Sequence, residues 1–327
     1  MVTPQIPVST QGYANAISPA VRQSFIDTFE TEQVKIELVA TVDTLQDYNQ
    51  LDANFTGLGL ARLTGEAEAY KEDAPIEGFT TTYTPNKFTI RVPVTEEMVT
   101  FDKVGIADKG SIGRQIGISI KETIEQQLAY PWINGFSTSN TSYSDGKPLF
   151  SVSHTRVDGG SAFSNASSTG LPLTHDNLAT AIVAMRATLD DRGKSASMRP
   201  KTLLVPPSLE AAALEIVKSS GRSDTAERAD NVFGMKQYTG GMLNVVVWEH
   251  LGSQFGGSDT AWFLIADKSP IRWYWAKNFK PQIGLVDDSD INKNGVVAFV
   301  GKYMYALGWG NPRGVWGSKG DGAAYAS

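Results

Sequence analysis

The sequence predicts an α+β fold: one long helix, three shorter helices and a set of strands, with extended pieces that leave the main body. Three observations predict it. Isoleucine and leucine recur every four residues over 111–130. Apolar residues alternate with polar ones over 79–94 and again over 296–309. The rest includes a proline-bearing N-terminal stretch, an acidic segment and a glycine-rich C-terminal stretch, none with the pattern of a core element.

A chain of 327 residues suits two interleaved lobes or one elaborated domain. It can bury roughly 75% of its unfolded surface. With no cysteine it has no disulfide framework, thiolate metal site or cysteine nucleophile, and it fits a reducing cytoplasm. Lys and Arg number 29 against 35 Asp and Glu, a net charge of −6. No basic run offers a phosphate-gripping face, and the acidic balance suits a protein that does not adhere to nucleic acid. The first ten residues lack the basic and apolar regions of a signal peptide. No apolar run approaches the ~20 residues of a membrane span.

Residues 1–19, with Pro4, Pro7 and Pro19 among Ser, Thr and Gln, read as an extended arm. Ser18 and Pro19 have the chemistry of a helix start, and Val21, Phe25, Ile26 and Phe29 follow at helical spacing. Leu58, Leu60 and Arg62 alternate with Gly and Ala as in a strand. The stretch 64–78 is acidic, with Glu66, Glu68, Glu72, Asp73 and Glu77 against Lys71 alone. Phe79, Thr81 and Tyr83 alternate next, then Phe88, Ile90, Val92 and Val94. Extended stretches on both sides of the acidic segment predict a large hairpin, and Pro93 puts its strand at an edge or end.

The 111–130 helix presents Ile112, Ile116, Ile120, Ile124 and Leu128 as one stripe. The stripe drifts around the axis because four residues overshoot a 3.6-residue turn. Lys121 and Glu125 are expected on its flank, and Pro131 should end or kink it. Its length is roughly 30 Å. The Ser-, Thr-, Gly- and Asn-rich stretch 135–173 reads as a functional loop or short hairpins. A helix over 174–191 turns Leu178, Ala181, Ile182, Met185 and Leu189 inward and stops at Gly193. A strand at 202–205 leads to a helix capped by Ser208, with Leu209, Ala213, Ile216 and Val217 inward. A charged loop at 222–241 follows, then strands at 242–249, 260–267, 271–277 and 296–309, and a glycine-rich tail from Gly310.

Candidate chemistry is sparse. None of His154, His175 and His250 lies four residues from another, and no His-Glu-x-x-His occurs, which argues against zinc. Ser151 or Ser153, His154 and Asp158 share one loop and could form a triad; such residues also fall together by chance. His175 reads more plainly as a helix-start residue and His250 as a strand-end residue. The run from Gly110 to Gly113 opens a helix and could cradle an anion, but a flexible approach to the helix is the simpler reading. Ile271, Trp273 and Trp275 share a strand face. With Trp248, Trp262 and Trp309 they suit a sugar-stacking platform or, more simply, a core or subunit interface. Asp287, Asp288 and Asp290 lack the spacing of a calcium loop and read as a solvated turn. No cofactor or metal is expected, and the chain is expected not to be an enzyme. Arm, acidic hairpin and tail gain stability by burying surface on neighbouring subunits, which points to an assembly protein.

The order of these elements resembles the major capsid proteins of tailed phages, of the Hong Kong 97 fold, and in particular the Mu-type major head subunit family. Two blocks carry the resemblance. One runs from Glu72-Asp-Ala-Pro-Ile76 through Lys87-Phe-Thr-Ile-Arg-Val-Pro-Val-Thr-Glu-Glu-Met-Val99 into the 111–130 helix. The other is Asp145-Gly-Lys-Pro-Leu-Phe-Ser-Val-Ser-His154, followed by Lys201-Thr-Leu-Leu-Val-Pro-Pro-Ser-Leu-Glu210 and Val246-Val-Trp-Glu249.

The resemblance implies an N-terminal arm at 1–35 and a P domain from 36–54 and 89–173, with 111–130 as its spine helix. It implies an E-loop hairpin at 55–88, an A domain at 174–285, and a return strand with C-terminal tail at 286–327. It further implies self-association into pentamers and hexamers, and an icosahedral shell around double-stranded DNA, assembled in the host cytoplasm. Portal, scaffolding and decoration proteins would be partners, and no membrane is involved. The scaffold would be a separate protein, or the chain a processed one. Glu66, Glu68, Lys71, Glu72, Asp73 and Glu77 become candidate intersubunit contacts. Arg222, Asp224, Glu227, Arg228 and Asp230 become candidates for a loop around the capsomer axis. An encapsulin-like compartment shell, a hydrolase on the His154 loop and a carbohydrate-binding module are the competing expectations.

Overall fold

The computed structural model describes residues 21–28, 36–95, 101, 111–219, 221, 230–234, 243–267, 269–286 and 296–325. The arm expected at 1–19, Phe29, Gly110, and Asp287, Asp288 and Asp290 lie outside them. So does most of the charged loop, including Arg222, Asp224, Glu227 and Arg228.

The first helix, α1, covers 21–28, and a single turn, α2, covers Ile36–Val39. Strands β1 (Thr41–Leu45), β2 (Gln50–Phe55), β3 (Glu77–Tyr83) and β4 (Asn86–Thr95) precede the long helix α3 (Ser111–Ile133). Helix α4 (His175–Ala187), β5 (Pro200–Val205), α5 (Glu210–Lys218), β6 (Asn244–Val247), β7 (Trp262–Ala266), β8 (Ile271–Ala276), β9 (Gln282–Val286), β10 (Val296–Trp309) and β11 (Val315–Ser318) complete the chain.

Three sheets result. The largest runs β1-β8-β10-β4, with β9 also paired to β10. Its central strand is the 14-residue β10. Strand β4 is an edge of this sheet, so Pro93, opposite Ala298, can lack its N–H there. The second sheet is β11-β7-β5-β6, and β2 and β3 form the third alone. Strand β8 and all but the last residue of β9 fall inside 174–285, yet both strands hydrogen-bond to β10.

Helix α3 lies on the large sheet. Ile112, Ile116, Ile120, Ile124 and Leu128 are all buried in the main core with Phe299, Tyr303 and Tyr305 of β10. Gly301 permits this contact, because a Cβ there would come within 2.6 Å of Ile116 and 2.7 Å of Ile120. Gly113 gives the same access to α1: its missing Cβ would lie 2.2 Å from the Val21 carbonyl oxygen. That close helix contact, rather than flexibility, accounts for the glycine.

The four-stranded sheet is covered on both faces, which is why its strands read as continuous apolar runs. Phe263 and Ile265 join the α3 core, while Trp262 and Leu264 pack with α4 and α5 in a second core. Within the described residues no helix is long and apolar enough to cross a membrane.

Several local expectations fail. Helix α3 continues past Pro131 to Ile133, and Asn134 N–H still donates to Tyr130 O at 3.0 Å. A proline in the last turn forfeits one bond, where an interior one would break the ladder. Glu125 is buried, accepting from Trp248 Nε1 at 2.7 Å. Helix α4 stops at Ala187 rather than 191, capped by Thr174 at its start, and leaves Leu189 exposed in a following turn that contains Gly193. Ser208 does not cap α5; its hydroxyl donates to Asp259 O. Leu58, Leu60 and Arg62 form no strand; the rising strand of the hairpin is the earlier β2, which pairs with the Thr-rich β3. The glycine-rich end is no free tail. Val315, Trp316 and Ser318 of β11 are buried, and the Phe150 ring packs where Gly317 has no side chain.

Candidate assembly interface

The hairpin β2–β3 is closed at its throat by Thr56. Its N–H donates to Ile76 O at 2.9 Å, and Ile76 N–H donates back to Thr56 Oγ1 at 3.0 Å. Beyond the throat, residues 57–75 form an irregular tip turned by Ala67 at φ 64°.

Glu68 accepts from Gly65 N–H at 2.9 Å and pairs with Lys71, which holds its carboxyl below the usual range. Asp73 pairs with Arg192 and accepts from Gly59 N–H at 2.5 Å. Together these contacts hold its pKa at about 2, the Arg192 hydrogen bond contributing most. Lys194 Nζ donates to Leu58 O at 2.6 Å. The flank of the tip is therefore clasped to the 190–194 turn. That turn is anchored in turn by Asp191, which takes a two-pronged bond from buried Arg313 at 2.9 and 3.1 Å. Of the acidic set, Asp73 and Glu68 are engaged within the chain, whereas Glu66, Glu72 and Glu77 are exposed.

The feature that sequence reading missed is apolar. Of 17 large hydrophobic residues exposed among the described residues, eight lie between Tyr48 and Ile76. Leu63 is 97% exposed, Tyr70 92%, Phe55 72% and Leu60 71%. So dense a set of bare apolar side chains marks a contact surface. The Leu58–Leu60 alternation was visible in the sequence, but it suggested a half-buried strand instead.

The other candidates resolve differently. Of the five residues named as candidates for a loop around the capsomer axis, only Asp230 is described. It bridges to Gly221 in antiparallel fashion, and the neighbouring Asn231 side chain ties the loop base to Ile216 O at 2.6 Å and Ser219 O at 2.9 Å. The proposed triad does not assemble. His154 is 1% exposed, with Nδ1 against Asp145 at 2.7 Å and Nε2 against Asn165 at 3.2 Å. Asp158 pairs with Arg156, and Ser151 Oγ accepts from Ser153 N–H. Both ring nitrogens are thus occupied away from any serine, and the loop is a buried polar network. His250 bonds Glu122 at 2.8 Å, and His175 packs on Phe233. No three metal-ligating side chains cluster among the described residues.

The tryptophan platform is also overturned. Trp248, Trp262 and Trp273 are fully buried, and Trp275 and Trp309 nearly so. Trp273 stacks on Tyr305 at 4.0 Å inside the core. Trp248, Trp273, Trp275 and Trp309 pack in the α3 core and Trp262 in the second core, so none of them faces a sugar.

The profile of the family described as phage capsid protein matches residues 78–318. The chain belongs to the phage capsid protein family. No curated protein matches it. Among solved structures it resembles one from Mycobacterium phage Patience, with TM-score 0.58 and 12% identity over 100% of this chain and 96% of that one. One from Gordonia phage Cozz gives TM-score 0.53 and 13% identity over 88% and 86%. The capsid of cyanophage P-SCSP1u gives 0.52 and 14% over 88% and 86%. At such identities the likeness is one of fold. As a capsid protein, the chain is a structural component of a virion shell.

Proposed function

We propose that this chain is the major capsid protein of a tailed phage, with the Hong Kong 97 fold and of the Mu-type head subunit kind. In this reading it assembles as pentamers and hexamers into an icosahedral shell around double-stranded DNA, in the host cytoplasm, with portal, scaffolding and decoration proteins as partners. Residues 55–88 act as the E-loop, 111–130 as the spine of the P domain, and 222–241 as the loop around the capsomer axis.

The observation that carries the reading is the hairpin. It leaves eight large apolar side chains bare between Tyr48 and Ile76, beside exposed Glu66, Glu72 and Glu77. A subunit that meets its copies there buries the apolar groups, while the carboxylates set register against Lys or Arg. Exposed ion pairs contribute only about 0–1 kcal/mol each, so adhesion comes from summed apolar burial.

Negative-stain microscopy of the purified protein, with and without its co-expressed neighbours, tests the reading. Closed particles are expected. A protein that stays monomeric at every concentration and with every neighbour refutes it. Exchanging Glu66, Glu72 and Glu77 for Lys should abolish particles and leave a folded subunit.

A further inference from the structure

The linear sequence offers no basic run, yet the pairing of β4, β9 and β10 builds a cationic face. Phe88, Ile90 and Val92 of β4 and Phe299, Tyr303 and Tyr305 of β10 pack on the α3 side of the large sheet. Side chains alternate across a sheet, so Lys87, Arg91 and Lys302 stand on the opposite face. Lys302 pairs with Thr89 on β4, midway between Lys87 and Arg91, and with Gln282 on β9. Four residues of strand separate Lys87 from Arg91 by about 14 Å, and Lys302 lies one strand, about 4.8 Å, to the side. The turn between β8 and β9 adds Lys277 and Lys280 beside Met304, whose N–H donates to Phe279 O at 3.0 Å.

This strip is open and unneutralised. Lys87, Arg91, Lys277 and Lys280 are exposed and Lys302 is half-buried, and Thr89 and Gly284 beside them are exposed too. None of the five cations makes a hydrogen bond or an ion pair among the described residues. Strands β4, β9 and β10 hold no Asp or Glu, in a chain whose net charge is −6. No exposed large hydrophobic residue lies on the strip among the described residues. A protein partner anchors through aromatic or aliphatic side chains in well-packed pockets, and the strip offers none. A polyanion needs only charge, because the counterions it releases drive its binding. Thr89 and Gln282 add neutral groups of the kind that bond phosphate oxygens.

We propose that this strip is a weak, sequence-independent site for the phosphate backbone of double-stranded DNA. A duplex carries one charge per ~1.7 Å of axis, so a length of about 14 Å along β4 brings roughly eight phosphates to the cations. The acidic balance of the whole chain keeps the contact loose. The site rests on the reading of the chain as a shell around DNA, which supplies the partner at high local concentration, and it names the surface that meets that DNA.

The test uses dispersed subunits of the full chain, and microscopy scores particle formation separately. A short fluorescein-labelled duplex of random sequence is titrated with the protein, and anisotropy is followed from about 50 to 200 mM salt. Saturable binding is expected. Log K should fall against log salt with a slope of about −2.7 for three phosphate contacts, or about −4.5 if Lys277 and Lys280 join. Lys302→Ala should make the slope shallower by about 0.9, whatever the duplex sequence. Lys87→Ala, Arg91→Ala and Lys302→Ala together should weaken binding at least about tenfold at the lowest salt. Arg91→Lys, which keeps the charge, should retain it, and Lys218→Ala on α5 should leave the slope unchanged. Each side chain is on the surface, so melting temperature should stay at the parental value and the single variants suffice if the triple one does not fold. No saturable binding at the lowest salt overturns the proposal, as does a slope indifferent to Lys302→Ala. Poly-glutamate of equal charge that binds more tightly than the duplex also overturns it, in favour of an acidic protein partner. Subunits that bind DNA and never form particles refute the shell reading alone, and particles built from subunits without DNA affinity refute the strip alone.

Discussion

Exchanging Leu60 and Leu63 for serine separates the two roles a surface leucine can have. Leu63 is 97% and Leu60 71% exposed, so neither contributes to the core of the subunit. Surface exchanges of this kind stay within about 0.5 kcal/mol, which for a chain of this size moves Tm by no more than about 2 °C. In the proposed shell the same side chains would lie between subunits. Burying one leucine contributes about 1.5–3 kcal/mol. Allowing for partial burial, the pair would supply about 2–5 kcal/mol to each hairpin contact, a factor of roughly 30 to 4000 in that contact's equilibrium constant. Differential scanning fluorimetry reads the subunit, and sedimentation across a concentration series reads the threshold for particles. The double variant should melt like the parent and fail to form particles at concentrations where the parent does. Particles at the parental threshold would refute the interface. A fall in Tm of more than about 5 °C would refute the premise that these leucines serve only between subunits.

Four further outcomes follow from the packing. Arg192→Ala opens the clasp on Asp73, so hydrogen exchange at residues 57–60 should quicken while that of α3 stays unchanged. The folded-state pKa of Asp73, about 2, lies below its unfolded value of roughly 3.9. The clasp's contribution is therefore complete above about pH 4 and lost as pH falls through about 2, which exchange measured from pH 5 to pH 2 should follow. Asn165→Ala removes the acceptor of Ser151 N–H and His154 and the donor to Leu149 O and Pro312 O, all buried. It should cost more than about 3 kcal/mol in urea unfolding. Gly301→Ala places a methyl group 2.6 Å from Ile116 and should cost about 1–3 kcal/mol through overpacking, whereas the open Gly284 should accept alanine without such a clash.

Periodicity alone determined the long helix, its buried Ile112–Leu128 stripe, the apolar strands β5 and β7, the alternation of β4 and β10, and the existence of a hairpin around an acidic segment. These patterns are local, and burial on one face repeats at the period of the backbone. Partners distant in sequence were decided only by the fold. Nothing near Asp73 foretells Arg192, 119 residues away, nor does the loop around His154 reveal that Asp145, rather than Asp158, faces its ring. The glycine-rich end lacks a hydrophobic period, yet Val315–Ser318 became a buried strand by pairing with β7, with the Phe150 ring packed where Gly317 has no side chain. Tryptophans spaced like a binding platform turned inward because the strand faces that carry them pack into the two cores. A sequence records which side chains avoid water; which distant groups they then meet depends on how the elements pack.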